Sequence, residues 1–289
     1  MMKDNIHEKI INFRNNEISN LLGSLEYPDK KEHVQKIYNY KKNKKLVGMG
    51  LTKDLFLKKR RVLKSCKNNK ISFVDNKENL IGNPKIYNFF NFSETGTNIN
   101  NNLYYSAIKK VINEFEFHNI IEIGSGFGKL CSLLKTDFSK NSYNIIELPG
   151  SSLVCLYYLE NYFKKNYNIN FCLNSDKRIT YNSKTINIIP FNNLLESSLR
   201  FPEKTIVINT QSFQHMNMKT ILLYNKLFKQ NNVKAIISLN RDIPIKSSEV
   251  NYQKLFIENN YQLTNKILID GINNNFYLKT FQINNQKKI

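Results

Sequence analysis

The sequence predicts an α/β fold in which a doubly wound, parallel sheet follows a helical N-terminal region. A β-branched run, residues 119–123, leads into three glycines on alternate positions, and a helical leucine pattern follows at once. Beyond this glycine-rich turn, apolar runs of strand length alternate with helical patterns, which is typical of parallel sheets. The last two strand patterns have no helical pattern between them, so we expect them to close the sheet as a hairpin.

The length and composition of the chain limit the classes of protein to which it can belong. Its 289 residues suffice for one large domain or two modest ones, and a hydrophobic content of 41% supports a substantial core. No apolar run has the length of a membrane span, and charges stand where a signal peptide needs an apolar stretch. We therefore expect a cytoplasmic protein.

The cysteines and histidines predict neither a disulfide framework nor a structural zinc site. The four cysteines include no C-x-x-C pair, and the four histidines are scattered along the chain.

The formal net charge of +20 is a reason to consider nucleic acid as a partner. Nearly all of the positive charge is lysine, however, and the chain is rich in Asn, Ile, Lys, Tyr and Phe, which share AT-rich codons. A biased genome therefore accounts for the composition, and we expect no stable complex with nucleic acid. The densest basic run, residues 53–70, fits either a solvated helix face or a contact with an anionic substrate or partner.

Helical spacing of apolar residues predicts the elements of the first third of the chain. Residues 1–23 form one helical pattern, and a further helix begins near Thr52, a possible N-cap. Glycine and proline punctuate residues 76–102, which we therefore expect to be a loop. Strong helical periodicity returns over residues 103–115, and that helix leads directly into the first strand.

This transition divides the chain into two parts. We expect residues 1–100 to be a helical N-terminal region that serves as a lid, a substrate contact or a dimer contact. Residues 101–289 then form the nucleotide-binding domain. A homo-oligomer is compatible with this division.

The remaining elements follow from apolar runs and the turn residues that bound them. Helical patterns cover residues 153–163 and 221–228, and Ser247 or Ser248 is expected to cap a third helix that runs through Phe256. The turn between the last two strands is Asp270-Gly-Ile-Asn. After the first strand, the expected strands are residues 143–147, 186–189, 205–209, 233–239, 261–269 and 276–283.

The spacing of the glycines separates three kinds of nucleotide-binding turn. A P-loop needs four residues between its first glycine and its Gly-Lys pair, then Ser or Thr; here one residue too few precedes Lys129, and Leu130 follows it. The dinucleotide fingerprint is G-x-G-x-x-G, whereas this turn is G-x-G-x-G. The pattern acid-x-G-x-G-x-G resembles motif I of class I S-adenosylmethionine (SAM) methyltransferases. A glycine-rich turn without a ligand is the alternative interpretation.

The resemblance to motif I implies roles for the residues of the turn. Gly124, Gly126 and Gly128, with Ser125 among them, would pass beneath the methionine part of SAM. Glu122 would lie near the ammonium group of the cofactor. Glycine suits such a turn because a side chain would keep the backbone from the ligand and because the turn uses positive φ angles.

A second acid stands where such folds bind a ribose. Glu147 ends the second strand, roughly 20 residues beyond the first glycine, and a carboxylate can accept hydrogen bonds from both vicinal hydroxyls. We expect Leu148 beside the cofactor as well. Asn192, after the third strand, is expected to reach the adenine, and Asn209, at the end of the fourth, to contact the cofactor. The alternatives are a solvated edge charge for Glu147 and a surface loop for Asn192.

Several short sequence segments, taken together, resemble those of the bacterial sugar O-methyltransferases. Besides the glycine-rich turn, they are Glu147-Leu-Pro with Tyr157-Tyr-Leu, Ile208-Asn-Thr-Gln-Ser-Phe-Gln-His-Met and Ser238-Leu-Asn-Arg. The likeness covers the chain from about residue 80 to the C-terminus. The family commonly has Glu where this chain has His215, and Asp where it has Glu147. The resemblance implies a class I SAM-methyltransferase (Rossmann-like) sheet of seven strands with an antiparallel last strand.

What the resemblance further implies is methyl transfer from SAM to a sugar hydroxyl during surface-glycan synthesis. The acceptor would be nucleotide-linked, lipid-linked or polymeric. An alcohol needs a base to take its proton, and His215 follows the fourth strand at the edge where ligands bind. A helix-capping or packed histidine is the alternative. Gln214, Asn240 and Arg241 are expected to orient the substrate, since an arginine can hold a phosphate or carboxylate bidentately.

Two other functions stay open at this point. One is a methyltransferase for another acceptor, an RNA 2′-hydroxyl or another small molecule. Enzymes that methylate base amino groups are disfavoured, because Asn209-Thr-Gln-Ser lacks their Pro-Pro-aromatic motif. The other is an inactive SAM-fold protein that binds partners. The sequence has no acidic cluster that predicts a metal site, so SAM is the cofactor that we expect.

Overall fold

The computed structural model describes residues 55–77, 79, 81, 87–89, 92–172, 179–191, 199–242, 251–269 and 276–283. The predicted helix over 1–23, the N-cap at Thr52, the turn at 270–273 and Asn192 lie outside these ranges. The described helices are α1 (Leu55–Asn68), α2 (Gly96–Ile112), α3 (Lys129–Asp137), α4 (Pro149–Phe163), α5 (Met218–Gln230) and α6 (Tyr252–Glu258), with a 3₁₀ turn over Phe213–His215. The described strands are β1 (Tyr87–Phe89), β2 (Phe92–Glu94), β3 (Asn119–Ile123), β4 (Ser142–Glu147), β5 (Asn168–Phe171), β6 (Thr185–Pro190), β7 (Thr205–Thr210), β8 (Ala235–Arg241), β9 (Tyr261–Leu268) and β10 (Phe276–Ile283).

The main sheet has the order β5-β6-β4-β3-β7-β8-β10-β9. Strands β3 to β8 pair in parallel with their neighbours, whereas β10 runs antiparallel to both β8 and β9. The predicted α/β class, the parallel sheet and the antiparallel closing strand are thereby confirmed. The carboxyl ends of β3, β4, β6 and β7 share one edge, which is where ligands bind in open α/β sheets.

The number of strands in the main sheet is eight rather than the seven expected. The additional strand is β5, a half-exposed edge strand that pairs in parallel with β6. The Asn170 side chain donates a 2.9 Å hydrogen bond to the Asn187 side chain across this pair. Its sequence, Asn-Ile-Asn-Phe, lies in an asparagine-rich and lysine-rich stretch, so the strand signal was lost among residues that usually form turns.

The expected loop over 76–102 is wrong, because it contains β1, β2 and the first turns of α2. Thr95 caps α2 by accepting a hydrogen bond from the Asn98 amide. The asparagines at the start of the helix face inward, and the Asn98 and Asn102 side chains both donate to the Asn76 carbonyl, at 2.7 and 2.9 Å. Residues that favour loops in isolation are thus held in a helix by buried partners. The helix ends at Ile112 rather than Phe115.

The cap of α6 differs from the one expected. Asn251 precedes the helix, and its side chain accepts a 3.2 Å hydrogen bond from the Lys254 amide. Ser247 and Ser248 lie outside the described residues. The helix therefore begins at Tyr252 and runs for only seven residues.

Hydrophobic cores lie on both faces of the sheet. Helices α1 to α4 contribute to one core, and α5, α6 and Phe213 to the other. Ile120 of β3 packs in the first core, whereas Ile121 and Ile123 pack in the second, which explains why apolar residues occur at adjacent positions of this strand. Val62 and Cys66 of α1 lie in the same core as the sheet, although the division of the chain at residue 100 stays a prediction. Among the described helices, none has the length and apolar character needed to cross a membrane.

Candidate functional site

The glycine-rich turn between β3 and α3 needs its glycines for two different reasons. Gly124, Gly126 and Gly128 have φ angles of +73°, +60° and +90°, in the left-handed region that other residues avoid. A Cβ on Gly124 would also lie 2.2 Å from Ser212 Oγ, and one on Gly128 would lie 2.9 Å from Cys155 Sγ. A Cβ on Gly126 would meet no atom within 4 Å. The backbone of Gly126 therefore borders open space.

Glu147 at the end of β4 is tied to this turn. Its Oε2 accepts a 2.6 Å hydrogen bond from the Gly126 amide, and its Oε1 accepts a 2.8 Å bond from the Leu148 amide. Ser125 Oγ lies 3.5 Å from Oε2. These bonds fix the direction of the carboxylate between the glycine-rich turn and the start of α4.

A cavity of about 200 Å³ opens beside this pair of residues. Gly124, Gly126 and Glu147 are among the residues that line it. Its apolar walls come from two sides, the strand ends and the segment that follows β7, and the side chains that line them are Ile146, Leu148, Phe191, Met216 and Tyr224. This combination, a mostly apolar hollow with a few polar groups at the carboxyl edge of the sheet, is typical of small-molecule sites.

Glu122 is buried beneath the turn rather than placed on the cavity wall. Its side chain is 1% exposed, and the Tyr143 hydroxyl donates a 2.7 Å hydrogen bond to its Oε2. Its Oε1 is buried and has no hydrogen-bond partner among the described residues. Burial raises the pKa of Glu122 to about 8, a shift that the Tyr143 bond opposes and the nearby charge of Glu147 reinforces. The carboxyl group therefore keeps its proton to a higher pH than an exposed glutamate does.

Asn209 and Asn240 form a fully buried link between strand ends. Asn209 Nδ2 donates to the Ile123 carbonyl at 2.8 Å, while its Oδ1 accepts from the Phe213 amide and from Asn240 Nδ2, at 3.0 and 2.7 Å. Asn240 Nδ2 also donates to Ser238 Oγ. Neither asparagine is among the residues that line the cavity. The structure places both where they hold β3, β7 and β8 at fixed spacing.

Of the other sequence-predicted residues, His215 borders the cavity, whereas Gln214 and Arg241 are not among its lining residues. His215 is exposed on the 3₁₀ turn and borders the cavity. Gln214 Oε1 accepts a 3.0 Å hydrogen bond from the Arg241 amide, which turns its Nε2 toward His215 Nε2, 3.1 Å away. An amide nitrogen donates, so this arrangement assigns the ring proton of the neutral histidine to Nδ1.

Gln211 borders the cavity and was not singled out from the sequence. It follows β7 with a φ of +56°, which is uncommon for a residue with a side chain. Its amide donates to the Leu239 carbonyl at 2.9 Å, and its side chain donates to the Tyr104 hydroxyl of α2. The contact joins the helix before β3 to the cavity. No local sequence pattern identifies Gln211 as a residue of the cavity, because the sequence does not reveal that its backbone has a positive φ angle.

Charged side chains cluster beyond the end of β8. Asp242 accepts hydrogen bonds from Lys266 at 2.8 Å and forms a 3.0 Å ion pair with Lys279. Burial lowers the pKa of Lys279 to about 8, although Asp242 opposes that shift. Lys279 also donates to the Tyr252 hydroxyl at 3.2 Å.

Within the described ranges, no three His, Cys, Asp or Glu residues lie close enough together to bind a metal ion.

No protein-family model and no curated protein matches the chain. Among solved structures, it is similar to PigF with SAH, at 12% identity and a TM-score of 0.39, over 62% of this chain and 57% of that one. It is also similar to the methyltransferase domain of bacterial CtHen1-CN, at 13% identity and a TM-score of 0.42, over 62% of this chain and 97% of that one. The chain thus spans little more than half of PigF. At such identities and TM-scores, these likenesses carry no argument about activity.

Proposed function

We propose that the chain is a SAM-dependent O-methyltransferase that methylates a sugar hydroxyl in surface-glycan synthesis. The observation that carries the first half of this proposal is the contact between Gly126 and Glu147 at the head of the apolar cavity. An acid and a bare, left-handed backbone meet there at the carboxyl edge of a parallel sheet. That edge is where folds of this kind bind nucleotides.

The cavity suits the adenosine half of SAM. Leu148, Phe191, Met216 and Tyr224 all border the cavity and offer apolar surface to a flat base. The Phe191 and Tyr224 rings lie next to each other, with 5.6 Å between their centroids. Glu147 lies where it can accept hydrogen bonds from the ribose hydroxyls. Drug-sized ligands occupy about 300–1,000 Å³, so the 200 Å³ enclosed by the described residues accounts for part of the cofactor. The open space at Gly126 is available to the methionine part.

Bound SAM would supply a methyl group that its sulfonium already activates. The task of the protein is then to hold the acceptor in line, exclude water and remove the hydroxyl proton. His215 is our candidate for the base, because its imidazole borders the cavity and a ring nitrogen of imidazole can accept a proton. Its Nε2 receives the Gln214 amide hydrogen, so we propose that Gln214 withdraws when the acceptor binds.

The sugar acceptor rests on the resemblance of residues 208–216 and 238–241 to sugar O-methyltransferases. We propose that Gln214, Asn240 and Arg241 position that acceptor, with Asn240 acting through its bonds to Asn209 and Ser238. The alternative acceptor is an RNA 2′-hydroxyl, which the net charge of +20 favours.

Incubation with methyl-labelled SAM tests the acceptor directly. The purified chain is offered nucleotide sugars, lipid-linked glycans, polysaccharide and RNA in parallel reactions. Label in a sugar fraction supports the proposal, and label confined to RNA replaces it with the RNA alternative. Label in none of them, together with no binding of S-adenosylhomocysteine (SAH), favours an inactive SAM-fold interaction protein.

A further inference from the structure

Helix α1 is the most basic element that the structure describes. Its sequence is Leu-Phe-Leu-Lys-Lys-Arg-Arg-Val-Leu-Lys-Ser-Cys-Lys-Asn, with six lysines and arginines and no acid. The basic side chains on this helix have one ion-pair partner among the described residues, Asp75, which contacts Lys59 at 2.5 Å. The run that the sequence singled out is therefore a concentrated patch of positive charge.

The buried side of α1 fixes which residues face solvent. Val62, Ser65 and Cys66 are buried. The opposite side presents Arg60, Arg61, Lys64 and Lys67, all exposed, and two leucines among them, Leu57 at 46% and Leu63 at 45% exposure. These six residues are called the α1 surface below.

The α1 surface belongs to a firmly attached helix. The Asn69 side chain, directly after α1, donates a 2.8 Å hydrogen bond to the Leu268 carbonyl of β9. Lys110 of α2 in turn donates to the Asn69 carbonyl at 2.9 Å. Leu268 is itself 37% exposed, so it adds a third accessible leucine beside the end of the helix.

We propose that the α1 surface docks on a membrane surface that contains anionic phospholipid. Clusters of four to eight basic residues on an amphipathic helix are the pattern that anionic lipid headgroups attract, and each such residue strengthens binding independently of sequence. The exposed leucines favour a membrane over a nucleic acid as the partner of this surface. At a membrane, Leu57 and Leu63 enter the boundary between headgroups and acyl chains. On a nucleic acid, the cations alone would meet the phosphates, and the leucines would stay in water.

This inference goes beyond the proposed methyl transfer and does not depend on it. The α1 surface and the cavity share none of their residues. Peripheral attachment needs no helix that spans the bilayer, since the contact uses one helix face. A catalytically inactive protein with this helix would bind the same surface.

Co-sedimentation of the full chain with phospholipid vesicles tests the proposal. We expect binding to vesicles that contain phosphatidylglycerol and little binding to pure phosphatidylcholine vesicles. The triple variant Arg60→Glu/Lys64→Glu/Lys67→Glu should bind the anionic vesicles roughly a hundredfold more weakly, given the contribution of each basic residue near a charged membrane.

The matched control reverses three exposed lysines on α5 and before β8, Lys226→Glu/Lys229→Glu/Lys234→Glu, and so changes the net charge equally. It should retain vesicle affinity within about threefold, because α5 packs on the opposite face of the sheet from α1 and the attraction of surface charges is screened by salt. An equal loss in both triple variants would show attraction by net charge alone and overturn the proposal. Circular dichroism and urea unfolding verify that both variants are folded.

The leucines provide the second arm of the test. Leu57→Ser/Leu63→Ser should bind anionic vesicles at low salt and lose that binding at high salt, where the wild type is still retained. Vesicle binding with the same salt dependence as the wild type would overturn the membrane assignment. A second result would also overturn it. In that result the wild type does not bind vesicles but binds RNA, and the α1 charge reversal abolishes the RNA binding.

Discussion

The backbone amide of Gly126 donates a 2.6 Å hydrogen bond to the carboxylate of Glu147. This bond joins the turn after β3 to the end of β4, the two places where the sequence predicted cofactor contacts. The same carboxylate accepts the Leu148 amide and borders the cavity. One acid thus organises the turn and faces the cavity in which we propose that the ribose of SAM binds.

Gly126 gives the first prediction, because its substitution adds a methyl group where no atom lies within 4 Å. Gly126→Ala should cost about 1–2 kcal/mol of stability for the left-handed backbone. It should also weaken SAH binding, measured by calorimetry, by about tenfold or more, because the new methyl group occupies the open space beside the turn.

Gly128→Ala is the matched control for that substitution. It creates the same strain, and its Cβ would lie 2.9 Å from Cys155 Sγ, away from the cavity. We expect an equal or greater loss of stability with a smaller loss of affinity in the folded protein. If Gly126→Ala bound SAH as tightly as the wild type, the open space beside Gly126 would not be part of the site.

The buried carboxyl of Glu122 predicts a pH dependence of stability. Its pKa in the folded protein is raised to about 8, above its ordinary value of 4.5, so the folded state binds the proton more tightly than the unfolded state. The favourable effect of this proton is complete below the unfolded pKa and is lost as the pH rises toward about 8, at no more than about 1.4 kcal/mol per pH unit.

Glu122→Gln removes this titration while it keeps the size of the side chain. Urea unfolding between about pH 5 and pH 8 should therefore show a shallower decline of the unfolding free energy in the variant than in the wild type. Parallel pH profiles for the two proteins would mean that Glu122 ionises in its ordinary range, and that the carboxylate is charged beneath the turn at neutral pH.

Gln211 predicts a backbone effect at the cavity. Its φ of +56° is accessible to glycine and strained for a β-branched residue. Gln211→Gly should keep the unfolding free energy within about 1 kcal/mol of the wild type, since relief of strain offsets the lost bond to Tyr104. Gln211→Val should lose about 2 kcal/mol or more. Equal stability of the two variants would contradict the left-handed conformation.

His215 predicts a separation between turnover and cofactor affinity. With an acceptor identified from the labelling panel, His215→Ala should lower turnover by about 10²–10⁴-fold, the usual contribution of a general base. SAH affinity should change by less than about threefold, because in our proposal Glu147 and the glycine-rich turn, rather than His215, hold the cofactor. His118→Ala is the control, since His118 is exposed at the opposite end of β3. Unchanged turnover in His215→Ala would remove this residue from the mechanism.

The sequence was sufficient for those features that local chemistry determines. Alternating glycines permit a left-handed turn that other residues resist, and a strand-ending acid about 20 residues later in a parallel sheet lies at the same sheet edge. Glu147 and the turn were therefore found together. Features that depend on tertiary partners were missed or misplaced. The first turns of α2 looked like a loop because Asn98 and Asn102 are helical only through their bonds to Asn76.

Roles of single polar residues were the hardest to predict. Asn209 follows the expected strand, yet the direction of its side chain depends on the Ile123 carbonyl and Asn240, both distant in sequence. Glu122 has the spacing of a cofactor contact, and the packing of Tyr143 above it determines that it is buried. Sequence spacing identifies the strand end on which a residue lies, whereas packing determines the direction in which its side chain points.

The most direct test of the account is calorimetric titration of SAH into the wild type, into Glu147→Ala and into Glu203→Ala, an exposed acid away from the cavity. We predict one site per chain in the wild type, at least a tenfold loss of affinity in Glu147→Ala and wild-type affinity in Glu203→Ala. Absence of binding in the wild type, or undiminished binding in Glu147→Ala, would contradict the proposal that Glu147 and the glycine-rich turn hold SAM.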